Sequence, residues 1–396
     1  MRLEKIHLLN FKNYEELNLD FSPQINCILG ENGSGKTNLL DAIYYLSFTK
    51  SAFSSVEQQN VRHGEPLLMV KGIFEKQERK YTIQCNWQRG QKKQVQNSQV
   101  PYDKMSEHIG RFPVVMISPD DTDLIRGASE LRRRFFDSLM SQIDADYLED
   151  LIRYNHVLRQ RNALLKQFAD RNTYDSDLLD SYSDQLLDLG HRLYEKRLAF
   201  LDKFIPYFDQ HYRNLSGEKE SVAIQYTSHF SKSEYRSVFF KAYGKDLILQ
   251  RTTLGIHRDD YVFKIDEHPT KRFGSQGQQK SFVIALKLAQ FDVLRAEKQL
   301  KPILLLDDIF DKLDDFRIGK LTEMVVQHSF GQLFVSDARP ERTRSIFSLI
   351  EGEKKYFQVH QGVITETLLE SKKDQPYQYQ NGQQNGQRKA DNVTKK

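Results

Sequence analysis

The chain is poor in cysteine: Cys27 and Cys85 are the only two among 396 residues. Their spacing fits no metal-ligand pattern, so two reduced, buried thiols are expected rather than a metal site. Long hydrophobic runs are missing too. No stretch approaches 18 apolar residues, which argues against a membrane-spanning helix, and Met1 to Phe11 alternates like a strand, not like a secretory leader. A cytoplasmic protein without membrane contact is the expectation. Charge of one sign is scarce as well. The formal net charge is +4, and residues 371–396 hold six basic groups (Lys372, Lys373, Arg388, Lys389, Lys395 and Lys396) against Asp374 and Asp391. The remaining body is therefore neutral, and only local clusters can speak about partners. What is present is ample apolar material, 39% hydrophobic with 11% aromatic, over a length that fits two domains or one large head with an insertion.

Two strand-to-loop junctions organise the rest. Gly30-Glu31-Asn32-Gly33-Ser34-Gly35-Lys36-Thr37 matches the phosphate-binding P-loop, GxxxxGK(S/T). It follows the apolar run Ile25 to Leu29, which reads as a buried strand, and precedes the helical pattern Leu39, Leu40, Ile43, Leu46. Glycines let backbone N–H groups turn toward phosphate oxygens, and the helix N-terminus favours negative charge. Lys36 supplies a cation for the β- and γ-phosphates, and Thr37 a hydroxyl ligand for Mg²⁺. The second junction, Ile303 to Leu306 followed by Asp307 and Asp308, reads as a buried strand carrying Asp307 to the Mg²⁺ shell in the Walker B manner. Asp308 is then placed to polarise the attacking water. A chance P-loop match is on the order of one per cent, and the second junction lowers it further.

Elsewhere, residues 2–9 and 15–21 alternate in the strand period, residues 67–100 hold two or three more strands, and Val114 to Ile117 forms another. Arg89 to Lys93 reads as a basic, solvated turn. Then Leu148, Leu151, Asn155, Leu158, Asn162 and Leu165 recur at steps of three and four. So do Leu179, Tyr182, Leu186, Leu189, Leu193, Lys196 and Phe200. This spacing predicts an antiparallel helical hairpin broken at residues 170–176, with the asparagines fixing register, or two ordinary amphipathic helices. Pro206 and Ser216-Gly217 are expected to end the helical region. Strands return at 222–226, 261–265 and 332–336, and the Gln- and Asn-rich tail from Ser371 is expected to be disordered.

Ser275-Gln276-Gly277-Gln278 opens a helix immediately before the Asp307 strand. By itself it is an ordinary capped helix start. Its position is that of the signature loop of ATP-binding-cassette heads, where a serine and a helix N-terminus reach the γ-phosphate held by the opposite subunit. Asp311-Lys312-Leu313-Asp314 fits the D-loop of such heads.

The chain resembles the RecF family, bacterial recombinational-repair ATPases of the SMC-like class. The resemblance rests on Asn10-Phe11-Lys12-Asn13-Tyr14, the P-loop with Asn38-Leu39-Leu40, Ser118-Pro119-Asp120-Asp121 and Arg132 to Asp137. Gln160 to Lys166, His257-Arg258-Asp259-Asp260, Ser275 to Ser281 and Leu305 to Leu313 complete it, in the family's order, to about residue 367. Ile256 stands where the family usually has proline, and Ser336-Asp337-Ala338 supplies no switch histidine.

That resemblance implies an α/β fold: an ABC/SMC-type head with mixed sheets around the P-loop helix, split in sequence as 1–118 and 251–370. A mainly helical insertion is expected over 119–250, with the tail at 371–396. It implies a weak ATPase using ATP and Mg²⁺, with Lys36, Asp307 and Asp308 as catalytic residues and Ser275, Gly277 and Gln278 completing a partner's site. It further implies an ATP-dependent homodimer clamping DNA, double-stranded, gapped or junction and also single-stranded. RecR- and RecO-type mediators and the loading of a recombinase belong to the same expectation. Arg126, Arg132, Arg133 and Arg134 form the densest basic cluster and are the first candidates for DNA phosphates, with Arg153, Arg159, Arg161 and Lys166 next. Several alternatives fit less well. About 265 residues between the junctions are too few for an SMC coiled coil, and fewer than 100 follow Asp308, too few for a nuclease domain. A transporter subunit needs a stricter signature and a switch histidine. A P-loop kinase does not need the 275–278 loop.

Overall fold

The computed structural model describes residues 1–217, 220–310, 315–326, 330–348 and 350–370. The tail and the 311–314 D-loop candidate lie outside them.

Five short strands do most to position the site. Val114–Ile117, Ile303–Asp307, Leu333–Asp337, Ile25–Leu29 and Lys354–His360 lie side by side in parallel, and Val363–Glu370 closes one edge antiparallel. The first four are buried throughout, which explains their unbroken apolar runs: both faces of a parallel sheet are covered. Alternate residues feed two cores. Ile28, Val114, Met116, Ile303, Leu305, Phe334 and Phe357 join the P-loop helix (Lys36–Phe48) and the inner face of a second, antiparallel sheet. That sheet runs Tyr14–Asp20, Arg2–Phe11, Leu67–Lys76, Arg79–Gln88, Gln94–Asn97, Val100–Pro101 in spatial order. Cys27, Val115, Ile117, Leu304, Leu306 and Val335 face the other way, into a core shared with the signature helix (Gln276–Lys298) and the arm helices. The P-loop helix is thus held between two sheets. Lys93, in the basic turn, is not merely solvated: it pairs with Glu57 and donates to the Thr49 carbonyl.

The arm is an antiparallel pair, Ala145–Arg171 and Ser176–Ser216, as Lys196–Asp144, Arg192–Asp150 and Arg161–Ser183 contacts show. The second helix keeps the expected seam, burying Leu179, Leu186, Leu189, Leu193 and Phe200, whereas the first departs from it in part. The first helix buries Tyr147, Tyr154, Val157, Arg161, Leu164, Leu165 and Phe168. Leu165 of the expected set is among them and Leu151 and Leu158 pack against the core, but Tyr154 and Arg161 are buried beside the expected Asn155 and Asn162, and Asn155 faces solvent. Large amphipathic side chains win the interior because their polar ends are satisfied there. The Tyr154 hydroxyl lies 2.8 Å from His257 Nδ1, and Arg161 donates to Ser183, Asp246 and Thr252. Asn162 accepts from the Thr252 amide and hydroxyl, so it hooks a neighbouring segment and does not fix helix register. Pro206 does not end the second helix, which runs on to Ser216. An interior proline costs about 3 kcal/mol. Burial of Phe208, Tyr212 and Leu215, with Phe208 and Tyr212 against Phe282, offsets it.

A third sheet pairs Val222–Thr227 with Asp260–Ile265, and His268–Pro269 with the latter. The segment boundary expected at 250 therefore passes between two paired strands, one on each side.

Candidate nucleotide-binding site

The P-loop leaves its strand at Gly30 and enters the helix at Gly35. Gly35 has φ +117°, and a Cβ there would lie 2.5 Å from Asn13 Nδ2. Only glycine suits both the dihedral and the approach. Asn13 Nδ2 donates to the Ser34 carbonyl at 3.2 Å, Tyr14 Oη to the Gly35 carbonyl at 3.0 Å, and Asn38 Nδ2 to Asn13 Oδ1 at 2.7 Å. From the other side the Gly362 amide donates to the Ser34 carbonyl at 2.8 Å. The loop is clamped by two hairpin turns from opposite ends of the chain. The helix N-terminus has no side-chain cap and no acidic residue in its first turn, so its field is left for an anion. Ser34 Oγ is buried without a hydrogen-bond partner, as a loop built to take phosphate oxygens would leave it. Glu31, Asn32 and Gly33 are exposed at the rim.

Lys36 is nearly fully buried and donates Nζ hydrogen bonds to the Gly30 and Glu31 carbonyls, at 3.0 and 3.1 Å. Its Nζ lies 3.9 Å from Asp308 Oδ2. Thr37 Oγ1 sits 2.9 and 3.0 Å from the two Asp307 oxygens. Ser336 completes the arrangement: its hydroxyl donates to Asp307 at 2.7 Å and accepts from the Asp308 amide at 2.9 Å. Burial raises the Asp307 carboxyl above its usual range, opposed by the Ser336 and Thr37 donors. A desolvated carboxylate beside a threonine hydroxyl is a donor set suited to Mg²⁺. Asp308 holds φ +44°, a strained conformation for a non-glycine residue, at the end of the buried strand.

Ser275 caps the signature helix in a reciprocal box: its hydroxyl accepts from the Gln278 amide at 3.2 Å and Gln278 Oε1 accepts from the Ser275 amide at 2.7 Å. Ser275 is exposed, Gly277 is half-buried with the Arg317 guanidinium 3.6 Å from where a Cβ would stand, and Gln278 Nε2 donates to Glu220 at 2.8 Å. Among the described residues, no hydrogen bond or ion pair joins this loop to the P-loop of the same chain. Asp337, in the place of a switch residue, accepts from Arg342 and Thr343 and so anchors the helix Pro340–Ser348.

The expected basic cluster is corrected. Arg132 is 8% exposed and makes a bidentate pair with Asp260 at 2.8 and 2.9 Å, plus bonds to the Leu124 and Gly127 carbonyls. Arg133 donates to Ser129 Oγ and the Asp259 carbonyl. Internal bonding consumes Arg132, while Arg133 is half-buried and held through Nη1. Arg134 and Arg126 are exposed. In the second set, Arg161 is fully buried, whereas Arg153, Arg159 and Lys166 face solvent. Sequence reasoning missed Ser336 and the clamping role of Asn13. It also missed a buried hub at Arg197, which donates to Asp137, Asp259, Tyr147, Tyr226 and the Ile256 carbonyl. A basic residue at helical seam spacing was the available signal, but the pattern pointed to Lys196 instead.

The fold and site define a P-loop ATPase head of the SMC type. Residues 2–365 match the RecF/RecN/SMC N-terminal domain. The chain belongs to the RecF family within it. It is 49% identical over 357 residues to the DNA replication and repair protein RecF of Flavobacterium johnsoniae, covering 90% of this chain and 99% of that protein. It is also 49% identical over 367 residues to RecF of Cytophaga hutchinsonii, with 93% and 97% covered. The structure of the recombination mediator protein RecF with ATP, in the RecFOR pathway, matches with a TM-score of 0.82 at 28% identity, over 93% of this chain and 99% of that one. The α/β SMC-type head expected from the sequence is borne out.

Proposed function

We propose that the chain is an ATP-driven clamp of DNA replication and repair, closing as a homodimer on duplex DNA near single-strand gaps and reopening on slow hydrolysis. The relatives' description as DNA replication and repair proteins, and the solved RecF bound to ATP within the RecFOR pathway, support this reading. The RecFOR pathway of that solved RecF supports RecR- and RecO-type partners; recombinase loading as the outcome and the cytoplasm as the place complete the proposal. One observation carries the chemistry: Thr37 and Asp307, 270 positions apart, meet at 2.9 Å beside Lys36.

In this reading the clamped loop binds the triphosphate through its amides and Lys36. Thr37 and Asp307 would hold Mg²⁺, which would supply charge neutralisation at the phosphates. Asp308 accepts a hydrogen bond from the attacking water and orients it. The water oxygen bonds to the γ-phosphorus as the bond from phosphorus to the bridging oxygen breaks, the water's proton passes to the released phosphate, and ADP and inorganic phosphate leave. The exposed Ser275 faces outward because it serves the site of a second copy.

Sedimentation of Asp308→Asn tests this. ATP should convert monomer to dimer, and a short gapped duplex should strengthen the dimer more at low than at high salt. A variant that binds ATP, stays monomeric and ignores DNA refutes the clamp and revives the kinase-like alternative.

A further inference from the structure

Arg126 leaves the basic cluster that the sequence suggested and sits instead against the signature loop. It ends the short helix Asp123–Arg126 and is exposed. Its Nε donates to Gln279 Oε1 at 2.8 Å. Gln279, the residue after the capping Gln278, is 6% exposed, and its Nε2 donates to the Gly274 and Thr270 carbonyls at 3.0 and 3.3 Å. Lys271 Nζ adds a second tie, to the Gly127 carbonyl at 3.2 Å. One buried amide therefore fixes both the backbone before Ser275 and the guanidinium of Arg126.

Exposed arginines ordinarily sample many rotamers. This one is held by Nε, while Nη1 and Nη2 make no hydrogen bond among the described residues. A guanidinium oriented in this way presents a planar donor fork that matches phosphate geometry. Next to it, the Ser275 hydroxyl accepts from the Gln278 amide and keeps its own hydrogen to donate. Both sets of donors flank the Gly274–Gln279 turn, and among the described residues neither bonds to the P-loop of its own chain. Arg132, which could have extended Arg126 into a track for a DNA backbone, is spent on Asp260, and half-buried Arg133 ties its Nη1 to Ser129 and the Asp259 carbonyl.

We propose that Arg126 is a nucleotide contact acting in trans: its guanidinium, fixed by Gln279, meets the triphosphate in the P-loop of a second copy beside Ser275. The inference rests on the two-headed clamp. An arginine supplied to a phosphoryl-transfer site from another subunit offsets charge developing on the γ-phosphoryl oxygens, with effects on turnover of about 10³-fold or more.

Mixing two variants tests it. Lys36→Arg impairs a chain's own site but leaves Arg126 intact; Arg126→Ala leaves its own P-loop intact. Each alone should hydrolyse ATP at least about 100-fold more slowly than the unaltered protein. An equimolar mixture should recover about one quarter of normal turnover, because half the dimers are mixed and each holds one complete site. Arg126→Ala should still bind ATP as a monomer with unchanged affinity, which confirms that it folds, and Arg126→Lys should recover little, since an ammonium lacks the fork. A mixture that forms mixed dimers yet stays inactive overturns the proposal. So does normal hydrolysis by Arg126→Ala; if its DNA binding is also weaker, with a salt slope reduced by about one, the residue is a DNA contact. If the unaltered protein remains monomeric with ATP, the clamp itself fails and the inference falls with it.

Discussion

Replacing Arg197 by methionine removes a buried charge while keeping most of its volume. The guanidinium makes five hydrogen bonds: to Asp137 at 2.8 Å, Asp259 at 3.1 Å, Tyr147 at 3.1 Å, Tyr226 at 3.4 Å and the Ile256 carbonyl at 3.2 Å. Arg197 is 1% exposed, and the Asp259 side chain has no exposure at all. Even with Arg197 opposing it, burial pushes the Asp259 carboxyl up to about 6. Breaking a buried pair by deleting one partner costs about 3–5 kcal/mol, a large part of the 5–15 kcal/mol that holds a typical domain. Arg197→Met should therefore lower unfolding free energy by about 3–5 kcal/mol at pH 7.5, read from urea melts followed by circular dichroism. The sign with pH is fixed. The folded-state pKa of Asp259 lies above its unfolded value, so the native state takes the proton first and the ionised group opposes folding above about pH 6. Without Arg197 that opposition grows, and the variant should regain stability as pH falls from 7.5 toward 5. Adding Asp259→Asn should restore about 2 kcal/mol at pH 7.5 by removing the unpaired charge. A loss under about 1 kcal/mol, or a double variant as unstable as the two losses summed, refutes the hub as a paired-charge structure.

Gly35→Ala should weaken ATP binding tenfold or more and cost about 1–2 kcal/mol, because alanine at φ +117° meets the Asn13 amide at 2.5 Å; calorimetric titration with unaltered affinity counts against the clamp. Asp307→Asn should erase the preference for MgATP over metal-free ATP while leaving the metal-free affinity within about threefold. Retention of normal Mg²⁺ dependence shows that Asp307 is not the ligand. Buried His108, which donates from Nε2 to the Leu46 carbonyl at 2.7 Å, has its pKa lowered to about 4 by burial. The unfolded chain therefore protonates first, and stability from this site is lost as pH falls from about 6.5 to 4, by about 3 kcal/mol in all. The stability difference between the unaltered protein and His108→Gln should shrink by that amount across the window, and a constant difference refutes it.

Local physics was legible in the chain because it is written in neighbouring residues. The strands at 25–29, 114–117 and 303–307 announced themselves by unbroken apolar runs, since a parallel sheet buried on both faces needs no polar alternation. Gly30 to Thr37 carried its own chemistry, because a loop that wraps phosphate needs glycines, a cation and a hydroxyl at fixed steps. Capping of the helix at Ser275 was local too.

In the first arm helix the seam was misread at Asn155 and Asn162, because apolar periodicity does not show that neighbouring Tyr154 and Arg161 can be buried. Tyr154, Arg161 and Arg197 are buried once distant His257, Asp246 and Asp259 satisfy their polar ends. Pro206 looked like a stop because its cost is local, whereas the burial that outweighs it comes from Phe282, 76 positions away. Four arginines near residue 130 looked alike, and only the fold gave two of them to internal partners and one to Gln279. Sequence by itself thus determined the elements and the groups that can touch phosphate. Tertiary structure decided which polar groups are spent internally, because a hydrogen bond or ion pair depends on distances that separation along the chain does not encode.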